Sequence, residues 1–407
     1  MIVIGLSPNT QKDDTIKALK TIFSPWIWKS GKDIDRVENW FKNYFHSPYV
    51  YSTNSGRSAL YLILQSFEIN SGDEIIVQAF SCLAVSEVVK WVNAKPVFVD
   101  IDETLNLDIN KLEKSITTKT KAIIVQHTFG IPAQIETIKK IAQKYKLILI
   151  EDCAHSLGSK INNQNIGSFS DASFFSFGRD KVVSSVFGGL ALLNKKYKNT
   201  PVFNRFNTIY NKFQIPQNFW IFQQLLHPFS CAIILPLYDI GVGKLILIIL
   251  QKLSLLSWPI YKEEKKGIRP AVFPQRLPNG LASLLIHQLQ KLDNLNTHRK
   301  EIAAIYFTEL KNNKNVSLPP KIDGSIYLRF NILVEKPYEI RNKAKKNGII
   351  LGNWYHDIID PENTRHLVNY KQGSCPGAEN AAHHSLNLPT HIKVTAKDAF
   401  KIIKYIG

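Results

Sequence analysis

From residue 59 to residue 193, short apolar runs alternate with longer stretches that read as helices. The runs are Ile75 to Val77, Pro96 to Val99, Ala122 to Val125, Leu147 to Ile150, Ala172 to Phe177 and Leu190 to Leu193. Such short, continuous runs suit strands buried on both faces. Helices are predicted over Ala59 to Phe67, Ala84 to Val92, Ile109 to Ser115 and Ile135 to Tyr145. This alternation builds an α/β fold: a mostly parallel central sheet with right-handed crossovers, sandwiched by helices. Asp13 to Phe45 also reads as helical, and its aromatics Trp26, Trp28, Trp40, Phe41, Tyr44 and Phe45 are expected to pack on the sheet.

Beyond residue 300 the pattern changes. A strand from Ser325 to Val334, a helix from Tyr338 to Asn347, a short run at Ile349 to Leu351 and a closing helix from Ala396 to Tyr405 make a smaller α+β unit. The expected division is a large domain over 1–299 and a small one over 300–407. A stretch at about 200–266, including FSCAIILPLYDIGVGKLILIILQKLSLLSWPIY, fits neither pattern. Pro236, Asp239 and Lys244 break it, so no run reaches the ~18 apolar residues of a membrane span. It is expected to be a helical insertion packed over the active site or on a partner subunit. The alternative is a helical pair on a membrane surface.

Chemistry gathers where the runs end. The strand through Ile150 stops at Glu151-Asp152, and the next at Ser176-Phe177-Gly178-Arg179-Asp180-Lys181, with Gly188-Gly189 following. Open α/β sheets bind ligands at this edge. Upstream, Ser52 to Leu60 forms a Ser- and Gly-rich turn at a helix start, whose free N–H groups suit phosphate. Taken singly, each feature has a plain explanation: a helix cap, a salt-bridge partner, a core histidine, a surface lysine. Taken together, an acid, hydroxyls and a lysine are the parts that a pyridoxal phosphate site needs.

The order EDCAH, SFGRDK, Gly188-Gly189, with SGRSAL before it and PGAE and LNLP near the end, resembles the DegT/DnrJ/EryC1/StrS family of sugar aminotransferases. The resemblance covers nearly all of the chain outside 200–266. It implies a fold-type I pyridoxal phosphate-dependent transferase with pyridoxal 5'-phosphate as cofactor. Lys181 is then the catalytic residue that forms the Schiff base and afterwards moves the proton between Cα and C4′. Asp152 pairs with the pyridinium nitrogen, His155 contacts the ring or its 3-hydroxyl, and Ser176, Gly56, Arg57 and Ser58 serve the phosphate. Cys82 occupies the place of the residue that stacks on the ring, with Phe80 two residues earlier. Arg57 stands where relatives usually have Thr. Pro274 stands where they have the Asn that reaches the partner's phosphate, and Arg276 is the nearest substitute. No metal site is expected.

The resemblance further implies a homodimer that takes an amino group from an amino acid, glutamate by analogy, and gives it to a keto sugar, nucleotide-linked, in surface-polysaccharide or amino-sugar biosynthesis. One alternative is a sugar dehydratase of the same family, against which Lys181 argues because those enzymes carry histidine there. Another is a non-catalytic, membrane-associated scaffold. Composition changes this picture little. The 407 residues carry a formal net charge of +18, with no recognisable nucleic-acid module and only short basic clusters such as RNKAKK at 341–346. Most of these charges read as a solvated basic surface, which a phosphorylated substrate would also fit. The four cysteines are scattered, which argues for a reducing compartment and against zinc or disulfides. The first residues lack the basic and apolar regions of a signal peptide, so a cytoplasmic place is expected, with membrane association as the variant.

Overall fold

The computed structural model describes residues 1–238 and 240–406; Asp239, named above as a break in the apolar stretch, lies outside them. The chain begins with β1 (Ile2–Val3), α1 (Lys12–Ile22) and α2 (Lys32–Phe45). The main alternation then runs β2 (Val50–Thr53), α3 (Gly56–Ser66), β3 (Glu74–Gln78), β4 (Ser81–Cys82), α4 (Leu83–Trp91), β5 (Lys95–Val99), α5 (Ile109–Leu112), β6 (Thr120–Gln126), α6 (Ile135–Lys144) and β7 (Ile148–Asp152). A small hairpin, β8 (Lys160–Ile161) and β9 (Gln164–Asn165), leads to β10 (Ala172–Ser176) and β11 (Gly189–Leu193).

Seven strands form one sheet in the order β2-β11-β10-β7-β6-β3-β5. All neighbours are parallel except β11, which runs antiparallel to both β10 and β2. Alternating side chains feed two cores. Ile123, Val125 and Leu149 face α2, α6 and their neighbours, whereas Ala122, Ile124 and Ile150 face α3 and α4. That is why the strands read as continuous apolar runs: neither face meets water.

The 200–266 stretch folds as α7 (Pro201–Lys212), α8 (Asn218–Ile234) and α9 (Val242–Lys252). α8 is anchored in the core by Trp220, Ile221 and Leu225, and α7 by Phe206. α10 (Asn279–Leu289) and α11 (Leu292–Leu310) follow, and α11 runs through the expected 299/300 boundary. The remaining elements are β12 (Val316–Ser317), β13 (Arg329–Val334), α12 (Pro337–Lys345), β14 (Ile349–Ile350), β15 (Ile359–Asp360), α13 (Pro376–His384), β16 (Ser385–Pro389) and α14 (Ala396–Ile403). β12, β13 and β16 form an antiparallel sheet. β1 pairs with β14, and β4 with β15, so the first and last thirds of the chain are stitched together twice.

Two expectations are corrected here. The strand expected from Ser325 begins only at Arg329. Tyr327 has φ +49°, which breaks the extended run, and the backbone there bonds outside the sheet: Ile326 N–H to Gly130 O at 3.1 Å, Thr390 Oγ1 to Tyr327 O at 2.8 Å. Trp26 does not pack on the sheet as expected; it is 75 % exposed, on a short 3-10 turn between α1 and α2. Trp28, Phe41 and Phe45 are buried as expected.

Candidate active site

β7 and β10 are parallel neighbours, so their carboxyl ends open on one edge, with Asp152 closing the first and Ser176 the second. The chain leaves β10 and must return down antiparallel β11, where Gly189 pairs with Ser176. Within that loop a turn, Lys181 N–H to Gly178 O at 3.2 Å, folds the lysine back over the strand end. The result is one cavity of about 430 Å³, within the roughly 300–1,000 Å³ typical of ligand sites. Asp152, His155, Ser176 and Lys181 line it from the central segment, and Gly56, Arg57 and Cys82 from the neighbouring turns.

Ser58 does not line the cavity. Its hydroxyl donates to Asn54 Oδ1 at 2.6 Å and lies 3.0 Å from Ser55 Oγ, inside the first turn of α3. Phe80 is also away from the cavity, edge-on to Phe129 and Tyr355 in a buried aromatic cluster. Of that pair Cys82 is the one at the site, and burial pushes its thiol up to about 11, so it stays protonated at neutral pH. Arg276 is spent on α7: it donates to Tyr210 O and to Asn211 Oδ1, each at 3.2 Å.

Lys181 Nζ lies 2.9 Å from His155 Nε2. Burial, reinforced by the charges of Lys181 and Arg329, holds the imidazole well below the usual histidine range, so it is neutral. Phe129 N–H donates to Nδ1 at 3.4 Å, and Nε2 faces the lysine amine. Phe129 and Tyr355 stack along the ring, with centroids 5.7 and 6.4 Å away.

Asp152 is buried, and among the described residues its carboxyl accepts one hydrogen bond, from Ala154 N–H at 2.9 Å. Desolvation raises its carboxyl from 3.8 to about 6 against the pull of Ala154 N–H and Lys181. A buried carboxylate so thinly compensated fits a cationic ring nitrogen as its missing partner. Glu151, one residue earlier, is taken up elsewhere by Gly167 N–H, Phe169 N–H and Ser170 Oγ at 2.7, 2.9 and 2.7 Å. His127 belongs to that second network, its Nε2 lying 3.4 Å from Glu151 and its Nδ1 accepting from Ala133 N–H.

The other end of the cavity is built for an anion. Ser55 caps α3 by accepting from Ser58 N–H at 3.1 Å, which leaves the N–H groups of Gly56 and Arg57 without intrahelical partners beside Ser176. Gly189 makes this proximity possible. A Cβ there would sit 2.2–2.5 Å from the backbone of Ser55 and Gly56. The Arg57 guanidinium, however, is paired with the buried Glu264, donates to Pro259 O at 3.1 Å and covers the Phe273 ring at 4.4 Å. It ties the end of the insertion to the anion turn.

Several site residues were not anticipated. Arg179, inside the SFGRDK motif, is partly buried and donates to both the carbonyl and the hydroxyl of Ser257 at 2.7 Å; its motif position was the available signal. Arg329 pairs with Asp180 across 149 residues and covers the Trp354 ring at 3.6 Å, which nothing local in sequence announces. Burial opposes its charge, but the Arg329 and Lys181 charges hold the Asp180 carboxyl below its ordinary value.

Comparison with known proteins agrees with this geometry. A GDP-perosamine synthase of Escherichia coli O157:H7 is 28 % identical over 388 residues, 94 % of this chain and 92 % of that one. A UDP-N-acetyl-3-dehydro-alpha-D-glucosamine 3-aminotransferase of Acidithiobacillus ferrooxidans is 48 % identical over 124 residues, 30 % of this chain and 34 % of that one. A putative sugar aminotransferase of Streptococcus pneumoniae, solved in its PMP form, shares the fold with a TM-score of 0.76 at 23 % identity, covering 100 % of this chain and 98 % of that one. The family described as DegT/DnrJ/EryC1/StrS aminotransferase matches residues 9–202 and 256–407, leaving most of the insertion unmatched. With the lysine, the buried acid and the anion turn in one cavity, the chain belongs to this family of pyridoxal phosphate-dependent aminotransferases.

Proposed function

We propose that the chain transfers an amino group from an amino acid, glutamate, to a keto sugar carried on a nucleotide, in the making of amino sugars for surface polysaccharide. The observation that carries this reading is Lys181 Nζ, 2.9 Å from His155 Nε2, in the same cavity as the buried Asp152. The names of relatives that act on nucleotide-linked sugars support the choice of acceptor. When bound, pyridoxal phosphate supplies an aldehyde and a protonated pyridine ring that accepts an electron pair. Asp152 would hold the ring nitrogen protonated, and the N-terminus of α3 with Ser176 Oγ would hold the phosphate. Lys181 Nζ would take the proton from the donor's α-carbon and later deliver one to the acceptor carbon. Neutral His155, fixed by Phe129 N–H, would orient the ring from the lysine side.

The large-domain and small-domain division at 299/300, and homodimerisation, belong to the same reading. The insertion's contacts with Arg57 and Arg179 favour a roof over the site. Its outer side, with Leu245 and Leu253 58 and 62 % exposed near Lys244 and Lys252, supports a peripheral membrane contact as a second role. Among the described residues no helix is long and apolar enough to cross a membrane.

The test is the visible absorption of the purified chain with pyridoxal phosphate, beside Lys181→Ala. The reading requires a visible band that bleaches with glutamate in the parent and is missing from the variant. A parent without that band sinks the assignment.

A further inference from the structure

The insertion does more than close the site. Ile234 of α8, Leu247 and Gln251 of α9, and Leu256, Trp258 and Ile260 after it line the same cavity as Lys181. The family match resumes only at residue 256, so half of this wall lies outside the matched residues. Gln251 and the indole N–H of Trp258 are its hydrogen-bonding groups. A nucleoside, with its base edge and ribose hydroxyls, needs more placed donors and acceptors than these two groups offer. The wall is not sealed core either: Leu247 is half-buried and Trp258 is 45 % exposed. Beside it stands Arg179, held by Ser257 through the hydroxyl that also donates to Gln224 at 2.7 Å. The buried Nε of Arg179 has no partner among the described residues. An apolar wall with a partly buried guanidinium at its margin matches an aliphatic chain that carries an anionic group.

We propose that this wall is a subsite for an aliphatic chain borne by the amino acceptor. The inference rests on the sugar-aminotransferase reading above and narrows its substrate class. Two sources share this chemistry: an acyl substituent on a nucleotide-linked keto sugar, or a lipid phosphate that takes the place of the nucleotide.

The experiment uses the full chain loaded with its cofactor, and calorimetric titration with butyl phosphate and octyl phosphate below their aggregation limits. Each methylene moved onto an apolar wall tightens binding by about fourfold at most. Octyl phosphate is expected to bind at least about tenfold more tightly than butyl phosphate. In Leu247→Gln and Trp258→Gln the two probes should agree within about threefold, with circular dichroism melting as the check on folding. Ile249→Gln, on the outer side of α9, should keep the parent's preference. No preference for the longer chain in the parent overturns the proposal. So does a preference that survives both inner substitutions, or one that is lost in Ile249→Gln. Competition with UDP separates the sources: simultaneous binding of UDP and octyl phosphate supports the acyl sugar, and mutual exclusion supports the lipid phosphate. Glutamate bleaching of the parent, recorded on the same preparation, reports independently on the aminotransferase reading.

Discussion

Replacing Asp152 by Asn should stabilise the cofactor-free chain and disable the enzyme. The carboxyl is raised from 3.8 to about 6 by desolvation. Each pH unit between these values is worth about 1.4 kcal/mol, so keeping the group ionised costs the folded chain about 3 kcal/mol at neutral pH. The folded-state value is the higher one, so the penalty is complete above about pH 6. It shrinks as pH falls, because the folded chain takes up the proton before the unfolded chain does, and it vanishes below about pH 4. Asparagine matches the shape, keeps an oxygen for Ala154 N–H and carries no charge. Urea unfolding of the cofactor-free proteins at pH 7 should therefore find Asp152→Asn more stable, by up to about 3 kcal/mol, with the gap closing toward pH 4. With saturating pyridoxal phosphate the order should reverse, since a ligand bound only by the native state stabilises it according to its affinity, and the variant has lost the partner of the ring nitrogen. A cofactor-free variant no more stable than the parent at pH 7, or a gap independent of pH, would refute the argument.

Gly189→Ala should weaken cofactor binding more than it unfolds the chain. Its Cβ meets the backbone of Ser55 and Gly56, which cannot yield as a flexible side chain can. Overpacking of this kind costs about 1–3 kcal/mol, and displacement of the α3 N-terminus should show as a raised dissociation constant for pyridoxal phosphate in fluorescence titration. Among the described residues, Arg57→Ala leaves the carboxylate of buried Glu264 with only Tyr261 N–H at 2.7 Å. Loss of one partner of a buried pair costs about 3–5 kcal/mol, and restoring neutrality with Arg57→Ala/Glu264→Gln should recover much of it. Equal unfolding midpoints in urea for the single and double variants would contradict the pairing. Limited proteolysis should locate the damage in 200–266.

Much of the active site was legible in the sequence because it is written locally. Strand ends are marked by where apolar runs stop, and the turns that follow carry the cavity-lining residues within a few positions, as in EDCAH and SFGRDK. Alternating runs also disclosed the parallel sheet, since burial of both faces leaves no polar period. Contacts across the chain were decided only in three dimensions. Arg57 reads as a phosphate ligand from its place in the turn, yet Glu264, 207 residues away, claims its guanidinium. Arg329 reaches Asp180 from the start of β13, just after Ile326 N–H bonds Gly130 O, and Tyr355 reaches His155 because β15 pairs with β4 and carries that segment to the cavity edge. The insertion is the clearest case. Its apolar composition fits a buried helix, a partner surface or a membrane face equally well, because hydrophobic burial has no direction. Packing of Trp220, Ile221 and Leu225 into the core, and the ties of Ser257 and Glu264 to the two arginines, place it over the lysine.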